Sequence, residues 1–214
     1  MVPSPFRILF GVVVAGTAAI IVVTVAFVLF GGEDLGPKNA CRNAVTGEER
    51  PVSRDDTYAQ TFQQTWDSID EQLTAGATEV TLGFSESEVT SRASAFLDER
   101  DAPVHDLVVC FHDGYAEARA TVEVPGASDL PLIGGLFDTT ARVKGTLDLA
   151  GEHPKLVITD LNAGRLPGFV EDELRSNVQD EVNKRLDDLV IRYDYTSLVF
   201  TEGTATITAT TALP

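Results

Sequence analysis

The sequence is short of basic side chains, of cysteine and of histidine, and each shortage excludes a class of function. Its 214 residues include 16 Lys and Arg but 33 Asp and Glu, which gives a formal net charge of -17. A chain this acidic has no broad basic surface to neutralise nucleic-acid phosphates, so we expect no nucleic-acid partner. The same net charge argues against electrostatic attraction to anionic lipid headgroups.

The three histidines, His105, His112 and His153, belong to no recognisable catalytic or zinc-binding motif. His105 and His112 are an odd number of residues apart on one predicted strand, so they point to opposite faces unless a bulge intervenes. The acidic clusters at 98–101 and 171–173 lack the spacing of a calcium-binding loop. We therefore predict no catalytic residue, no metal and no cofactor, although two acids distant in the chain would leave no sequence signature.

An apolar run at 8–30 contains no charged side chain and predicts a transmembrane helix. At about 1.5 Å per residue it reaches roughly 34 Å, enough to cross a hydrocarbon core of about 30 Å. A cleaved signal peptide is the alternative, but the run is longer than the apolar core of a typical signal peptide and lacks a good cleavage site. Arg7 precedes the run while Glu33 and Asp34 follow it, which places residues 1–7 in the cytoplasm and the remainder outside. We expect a single-pass protein of the cell membrane.

Cys41 and Cys110 are the only cysteines, too few for a disulfide-rich scaffold. Outside the cytoplasm they could form one disulfide, which the chain-entropy model values at about 4 kcal/mol. That bond would fasten the membrane-proximal segment to the folded domain. The alternative is two separate buried thiols, and the sequence leaves both open.

The chain after the anchor is predicted to be a linker, 31–57, followed by an extracytoplasmic domain, 58–214. The linker is polar and contains Pro37 and Pro51 without an apolar period. In the domain, helical apolar spacing begins at 58, a capping box precedes a helix from 85 to about 100, and a longer amphipathic helix covers 169–190.

Alternating apolar residues predict a strand at 79–84 and three hairpins. The hairpins pair 104–112 with 115–124, 139–150 with 155–163, and 191–202 with 204–211. Asp113-Gly114 favours a type I′ turn, in which both residues take positive φ. The pattern indicates an α+β fold in which a curved antiparallel sheet of hairpins packs on amphipathic helices, preceded by one N-terminal transmembrane helix.

Small and apolar side chains are the candidate ligand-binding residues. Small inward-facing residues on two strands leave room either for a closely packed helix or for an acyl-chain groove. The loop 125–137 is unusually apolar, which predicts the lip of such a groove, and the helix 169–190 would form its wall. The candidates are Ala116, Ala118, Ala120, Val122, Leu130, Leu132, Ile133, Leu136, Phe137, Leu174, Val178, Val182, Ala205 and Ile207.

Several segments together resemble a bacterial family. They are the helix start at 84–89, the strands at 143–147 and 156–163, the Gly-Arg-Leu-Pro-Gly segment at 164–168 and the final hairpin at 199–208. With them, the region 79–211 resembles the YpmS-like and LmeA-like group of membrane-anchored extracytoplasmic proteins. The resemblance implies a lipid-associated envelope protein that binds phospholipid and has no catalytic residues.

The leading functional hypothesis is therefore a non-enzymatic, membrane-anchored domain that binds a lipid or other apolar ligand between its sheet and the helix 169–190. The alternative is a non-catalytic protein-interaction domain of the cell envelope, for which the sequence identifies no partner. An envelope hydrolase is a third hypothesis, which no motif supports.

Overall fold

The computed structural model describes residues 39–102, 104–122, 139–150, 153–162, 168–187 and 193–211. The predicted cytoplasmic segment 1–7, the predicted transmembrane helix 8–30 and the predicted apolar loop 125–137 lie outside these ranges. Within them, none of the helices is both long enough and apolar enough to cross a membrane.

The domain has an α+β fold with antiparallel sheets, as predicted. Its elements in chain order are β1 (Ala40–Arg42), β2 (Glu49–Pro51), α1 (Asp56–Thr74), β3 (Glu79–Ser85), α2 (Glu86–Asp98), β4 (Val104–His112), β5 (Tyr115–Val122), β6 (Thr139–Asp148), β7 (Lys155–Asn162), α3 (Gly168–Asp187), β8 (Tyr193–Thr201) and β9 (Thr204–Thr211).

The strands divide into separate sheets instead of forming the single predicted sheet. A four-stranded sheet has the order β4-β5-β6-β7, and a three-stranded sheet has the order β3-β9-β8. The three predicted hairpins are present, but β9 also pairs with β3, which precedes it by more than a hundred residues. The apolar alternation identifies strands and their local turns, whereas it carries no information on such distant pairing.

Local side-chain caps start the first two helices. The carboxylate of Asp55 accepts hydrogen bonds from the backbone N–H groups of Thr57 and Tyr58 at the start of α1. At the start of α2, Ser85 and Glu88 form the predicted capping box. The buried faces of the two helices are Phe62, Trp66, Ile69 and Leu73 of α1, and Val89, Ala93 and Leu97 of α2, among others.

The predicted linker 31–57 is folded from residue 39 onward, which corrects the predicted start of the domain at 58. β1 and β2 form a small hairpin, and Cys41 is joined to Cys110 of β4 in a disulfide. Of the two predicted alternatives for the cysteines, the structure therefore contains the disulfide and not two separate thiols. Cys41 and Cys110 pack with Val52 and Val108 in a second, smaller core. Three-residue strands are too short to show an apolar period, so the pattern at 39–57 resembled a linker.

Strand β4 contains a bulge, which changes the predicted placement of His105 and His112 on opposite faces of the sheet. The pairing with β5 shifts register between His105 and Val108, and Asp106 has a φ of 54°. His105 and His112 then oppose Thr121 and Tyr115, which share one face of β5. At about 3.4 Å per residue the histidines remain roughly 20 Å apart, too far to bind one ion.

Helix α2 covers the free edge of β4. The backbone N–H of Val109 donates to Thr90 Oγ1 at 2.9 Å, and the N–H of Phe111 donates to Glu86 Oε1 at 2.8 Å. Four residues of helix span about 6 Å and two residues of strand span about 6.8 Å, so an i, i+4 pair on a helix matches alternate N–H groups of a strand.

Helix α3 covers the free edge of β7 in the same manner. The N–H groups of Leu156 and Ile158 donate to Asn183 Oδ1 at 2.7 Å and to Gln179 Oε1 at 2.8 Å. Asn183 also donates to the carbonyl of Leu156 at 3.1 Å. At each edge of the four-stranded sheet, two backbone N–H groups are therefore bound by helix side chains, and the helix covers that part of the edge from another strand.

Gly145 of β6 is required by the close approach of β7, and this gives a first testable prediction. A Cβ at this position would lie 2.6 Å from the carbonyl oxygen of Val157, which is backbone and has little freedom to move. We expect Gly145→Ala to lower the free energy of unfolding by about 1–3 kcal/mol, the usual cost of overpacking. Urea unfolding followed by the fluorescence of Trp66 measures it.

Gly83→Ala in β3 is the matched control. A Cβ there would meet only the Thr204 side chain, at 3.8 Å, which is ordinary contact. Equal destabilisation by both substitutions would show that loss of glycine in a strand, and not the contact with β7, is responsible.

Candidate functional site

An apolar cavity lies between the two larger sheets and is the candidate site. Its volume is about 80 Å³, and its walls come from both sheets and from helices α1 and α2. Among the described residues that line it, only Glu117, Thr146 and the indole of Trp66 have polar side-chain atoms. Cavities with apolar walls stay empty of water and accept apolar molecules of suitable size.

Aromatic side chains form one part of the cavity wall. Trp66 and Phe84 have ring centroids 5.8 Å apart, and Phe111 stacks on Phe200 at 5.5 Å. All four rings line the cavity, and they come from α1, β3, β4 and β8. Trp66 is the only tryptophan of the chain, so its fluorescence reports directly on what enters the cavity.

Small side chains account for the unfilled space. Ala116 and Ala118 of β5, Gly145 of β6 and Ala205 of β9 all line the cavity. No helix packs into the gap that these residues leave between the described parts of the two sheets. Of the predicted candidates, the structure brings Ala116, Ala118, Ala205 and Ile207 together around this one space.

The other predicted candidates are placed differently. Ala120 is buried but does not line the cavity, and Val178 and Val182 of α3 are fully buried where that helix packs beside β7. No described side chain of α3 lines this cavity, which lies between the two sheets. Outside the described side chains lie Val122, Leu130, Leu132, Ile133, Leu136, Phe137 and Leu174.

Several lining residues were not among the predicted candidates. Trp66 belongs to a helical apolar stripe, which is typical of a core face, and it serves as both core and cavity wall. Leu198 and Phe200 alternate on β8 as Ala205 and Ile207 do on β9, so the same alternation could have identified them. The half-buried lining residues mark the side nearest to solvent, and they are Ala116, Glu117, Thr146, Leu147, Leu198 and Phe200.

Two hairpin turns bind each other at one end of the cavity. The N–H of Gly114 donates to the carbonyl of Phe200 at 3.0 Å, and the N–H of Gly203 donates to the carbonyl of Phe111 at 3.1 Å. Both glycines have positive φ, but Asp113 does not, so the predicted hairpin is present while its predicted type I′ turn is wrong. These reciprocal bonds join the two sheets and fix the positions of the Phe111 and Phe200 rings.

Arg50 of β2 binds the groups around this junction. Its guanidinium forms two hydrogen bonds with the buried carboxylate of Glu86, at 2.7 and 3.2 Å. It also donates to the carbonyl of Phe111 at 3.1 Å and pairs with Glu202 at 2.5 Å. The hydrogen bond with Glu86 raises the pKa of Arg50, so the guanidinium stays charged. The N-terminal hairpin thereby holds α2, β4 and the β8–β9 turn together.

Glu202 is held in its charged form by its neighbours. Burial acts to raise its pKa, but hydrogen bonds from His112 and Arg50, together with their charges, outweigh burial and set the pKa below its usual value. His112 Nδ1 lies 3.3 Å from the Glu202 carboxylate and its ring stacks on Tyr115.

The sulfur atoms of Cys41 and Cys110 lie close to the carboxylate of Glu86, a grouping that in other proteins can hold a metal ion. Metal binding by cysteine needs a thiolate, and both sulfurs are committed to the disulfide. We assign these three residues a structural role.

The role of Arg50 gives a second prediction. Arg50→Ala leaves the carboxylate of Glu86, which is 5% exposed, without its cation. We expect a loss of about 3 kcal/mol in the free energy of unfolding, the low end for a broken buried ion pair, because Arg50 is itself 25% exposed. Arg42→Ala on β1 of the same hairpin is the control, because its pair with Glu49 is more than half exposed and should contribute less than about 1 kcal/mol. Similar losses for the two variants in urea unfolding would contradict this role.

The lowered pKa of Glu202 predicts a pH dependence of stability. A carboxyl whose folded-state pKa lies below its unfolded value, about 4.5, stabilises the fold above that pH and ceases to do so as the pH falls through the folded-state pKa. Glu202→Gln should therefore be destabilising at pH 7 and nearly neutral once wild-type Glu202 is protonated. Urea unfolding at pH 7 and at successively lower pH tests this, with Glu48→Gln in the exposed hairpin turn as control. A constant difference between Glu202→Gln and wild type across this range would show that the carboxylate charge is not responsible.

Comparison with known proteins adds no assignment to this geometry. The chain matches no protein-family model and no curated protein. The resemblance to the YpmS-like and LmeA-like group stays a prediction from the sequence.

Proposed function

We propose that this protein is a membrane-anchored, extracytoplasmic, non-enzymatic lipid-binding protein, which takes part of an acyl chain into the cavity between its two larger sheets. The observation that carries this proposal is the unfilled apolar space beside Ala116, Ala118 and Ala205. The apolar run at 8–30 and the resemblance stated above support the membrane anchor and the lipid. The finer predicted architecture, one transmembrane helix before the α+β domain, is part of the proposal.

The cavity volume limits how much of a lipid is enclosed. About 80 Å³ is below the usual 300–1,000 Å³ of a pocket that encloses a whole ligand, so only a few methylene groups fit. Each buried methylene contributes about 0.8 kcal/mol, so four or five together contribute roughly 4 kcal/mol before the cost of association is subtracted. Binding through these groups alone is therefore no tighter than a Kd of about 1 mM. The remainder of the acyl chain would extend out of the cavity past the half-buried side chains of Leu147 and Leu198.

Anchoring compensates for such weak binding. A tether of limited length keeps the domain beside a surface that presents acyl chains at high local concentration, which raises occupancy without any further contact. The weak affinity also allows the lipid to leave again, since most differences in affinity are differences in dissociation rate.

Bromine on the lipid acyl chains provides the test, because bromine quenches tryptophan fluorescence over short distances. We would reconstitute the full chain in nanodiscs of phosphatidylcholine with brominated or unmodified acyl chains. Since Trp66 is the only tryptophan and is 5% exposed, lipid taken into the cavity should quench its fluorescence substantially.

Ala116→Leu fills the cavity and should remove the quenching. Ala75→Leu adds the same volume at an exposed position after α1 and should leave the quenching unchanged. Thermal unfolding of each variant establishes that it is folded. Wild-type quenching no greater than that of a folded Ala116→Leu variant would contradict lipid uptake and favour the protein-interaction alternative.

A further inference from the structure

The face of β5 and β6 that points away from the cavity carries several basic residues. Arg119 alternates along β5 with the cavity-lining alanines, and Arg142 and Lys144 lie next to it on β6. Arg42 of β1 is also close enough to influence Arg119 electrostatically. We refer to Arg42, Arg119, Arg142 and Lys144 as the cationic face.

The charge of the cationic face differs from that of the rest of the chain. Its four basic residues pair with three carboxylates, those of Glu49, Glu117 and Asp160. Four positive and three negative charges leave +1, whereas the whole chain carries -17, so all other residues together carry -18. The acidic excess responsible for the net charge therefore lies elsewhere.

The cations on this face are close together. Arg119 and Arg142 are directly opposite each other on neighbouring strands, an arrangement of like charges that destabilises a sheet. Burial lowers the pKa of Arg119, and Arg142 and Arg42 lower it further against the opposing effect of Glu117. An anion brought to this face would relieve the repulsion.

The position of the N-terminal hairpin places this face near the predicted anchor. The carbonyl of Ala40 accepts a hydrogen bond from Arg119 Nη2 at 2.6 Å, so the described chain begins beside the cationic face. Residues 31–38 separate the predicted transmembrane helix from Asn39, and fully extended they span at most about 30 Å. A compact domain of about 170 residues is roughly 40 Å across, so the tether is shorter than the domain.

We propose that the cationic face docks on the bilayer that carries the anchor, where it binds the phosphate groups of anionic phospholipids. This inference rests on the membrane anchor of the proposed function. The net charge of -17 argued against attraction to such headgroups, but charges farther from the surface than a Debye length of about 8–10 Å are largely screened. The charges that matter are those nearest the bilayer, and the tether places the cationic face there.

Energy transfer from Trp66 to a dansyl group on lipid headgroups measures docking. We would reconstitute the full chain in nanodiscs of phosphatidylcholine alone, or with about one third phosphatidylglycerol, each with a trace of dansyl-phosphatidylethanolamine. Transfer should be greater with phosphatidylglycerol and should fall to the phosphatidylcholine level in 1 M NaCl, where the Debye length is about 3 Å.

Substitution of Arg142 and Lys144, whose side chains are each 28% exposed, tests which face docks. Each basic residue near an anionic surface contributes about a factor of five to binding, so Arg142→Gln with Lys144→Gln should lower the ratio of docked to undocked protein roughly 30-fold. Arg175→Gln with Lys184→Gln on α3 removes the same number of charges outside this face and should leave energy transfer unchanged. The dependence of energy transfer on lipid and salt is measured on the wild-type protein. A folding defect in a variant therefore cannot obscure that result.

Two results would overturn the proposal. One is transfer that does not depend on phosphatidylglycerol, and the other is an equal effect of both pairs of substitutions. Loss of the full chain from the nanodiscs during gel filtration would remove the anchor on which both proposals rest. Bromine quenching without headgroup-dependent transfer would retain lipid uptake and exclude docking, and the converse result would retain docking alone.

Discussion

The pairing of backbone groups at the edges of the four-stranded sheet is the constraint on which the remaining architecture depends. An open sheet leaves a row of N–H and C=O groups at each outer strand, and these must be hydrogen-bonded when buried. Here Glu86 and Thr90 of α2 serve one edge, and Gln179 and Asn183 of α3 serve the other. Because helices occupy both edges, the three-stranded sheet cannot extend this one and packs against its face instead. The cavity is the space that small side chains leave at that contact.

The N-terminal hairpin depends on the same arrangement. Glu86 both caps the edge of β4 and accepts two hydrogen bonds from Arg50, so one buried carboxylate joins a helix, a strand and the hairpin. The disulfide between Cys41 and Cys110 attaches the hairpin to the other face of β4, beside the side chain of Val108. The segment that follows the predicted anchor is therefore part of the domain. The cavity and the cationic face consequently lie at fixed distances from Asn39, where the described part of the domain begins.

The sequence predicted what depends on neighbouring residues and missed what depends on distant ones. The Ser85–Glu88 capping box, the Gly114 hairpin and the alternating strands are local signals, and the structure contains each of them. The pairing of β3 with β9 and the contact of Arg50 with Glu86 and Glu202 join segments far apart in the chain, for which one sequence gives no signal. The site was predicted in part for the same reason: alternation identified the small residues of β5 and β9, while the wall opposite was assigned to α3 because no pattern shows which element faces a strand.

The pairing of β3 with β9 also determines the order in which the chain can complete its fold during synthesis. The hairpins β4–β5 and β6–β7 connect adjacent segments and can form as soon as each second strand emerges. Strand β3 comes early in the chain, yet its partner is the final described strand, 204–211. Phe84, whose ring lies in the cavity wall, must therefore wait for almost the entire chain before its strand is paired. In that interval the apolar face of β3, formed by Val80, Leu82 and Phe84, lacks its β9 partner. Exposed apolar faces of unpaired strands are the segments on which chaperones and aggregation act.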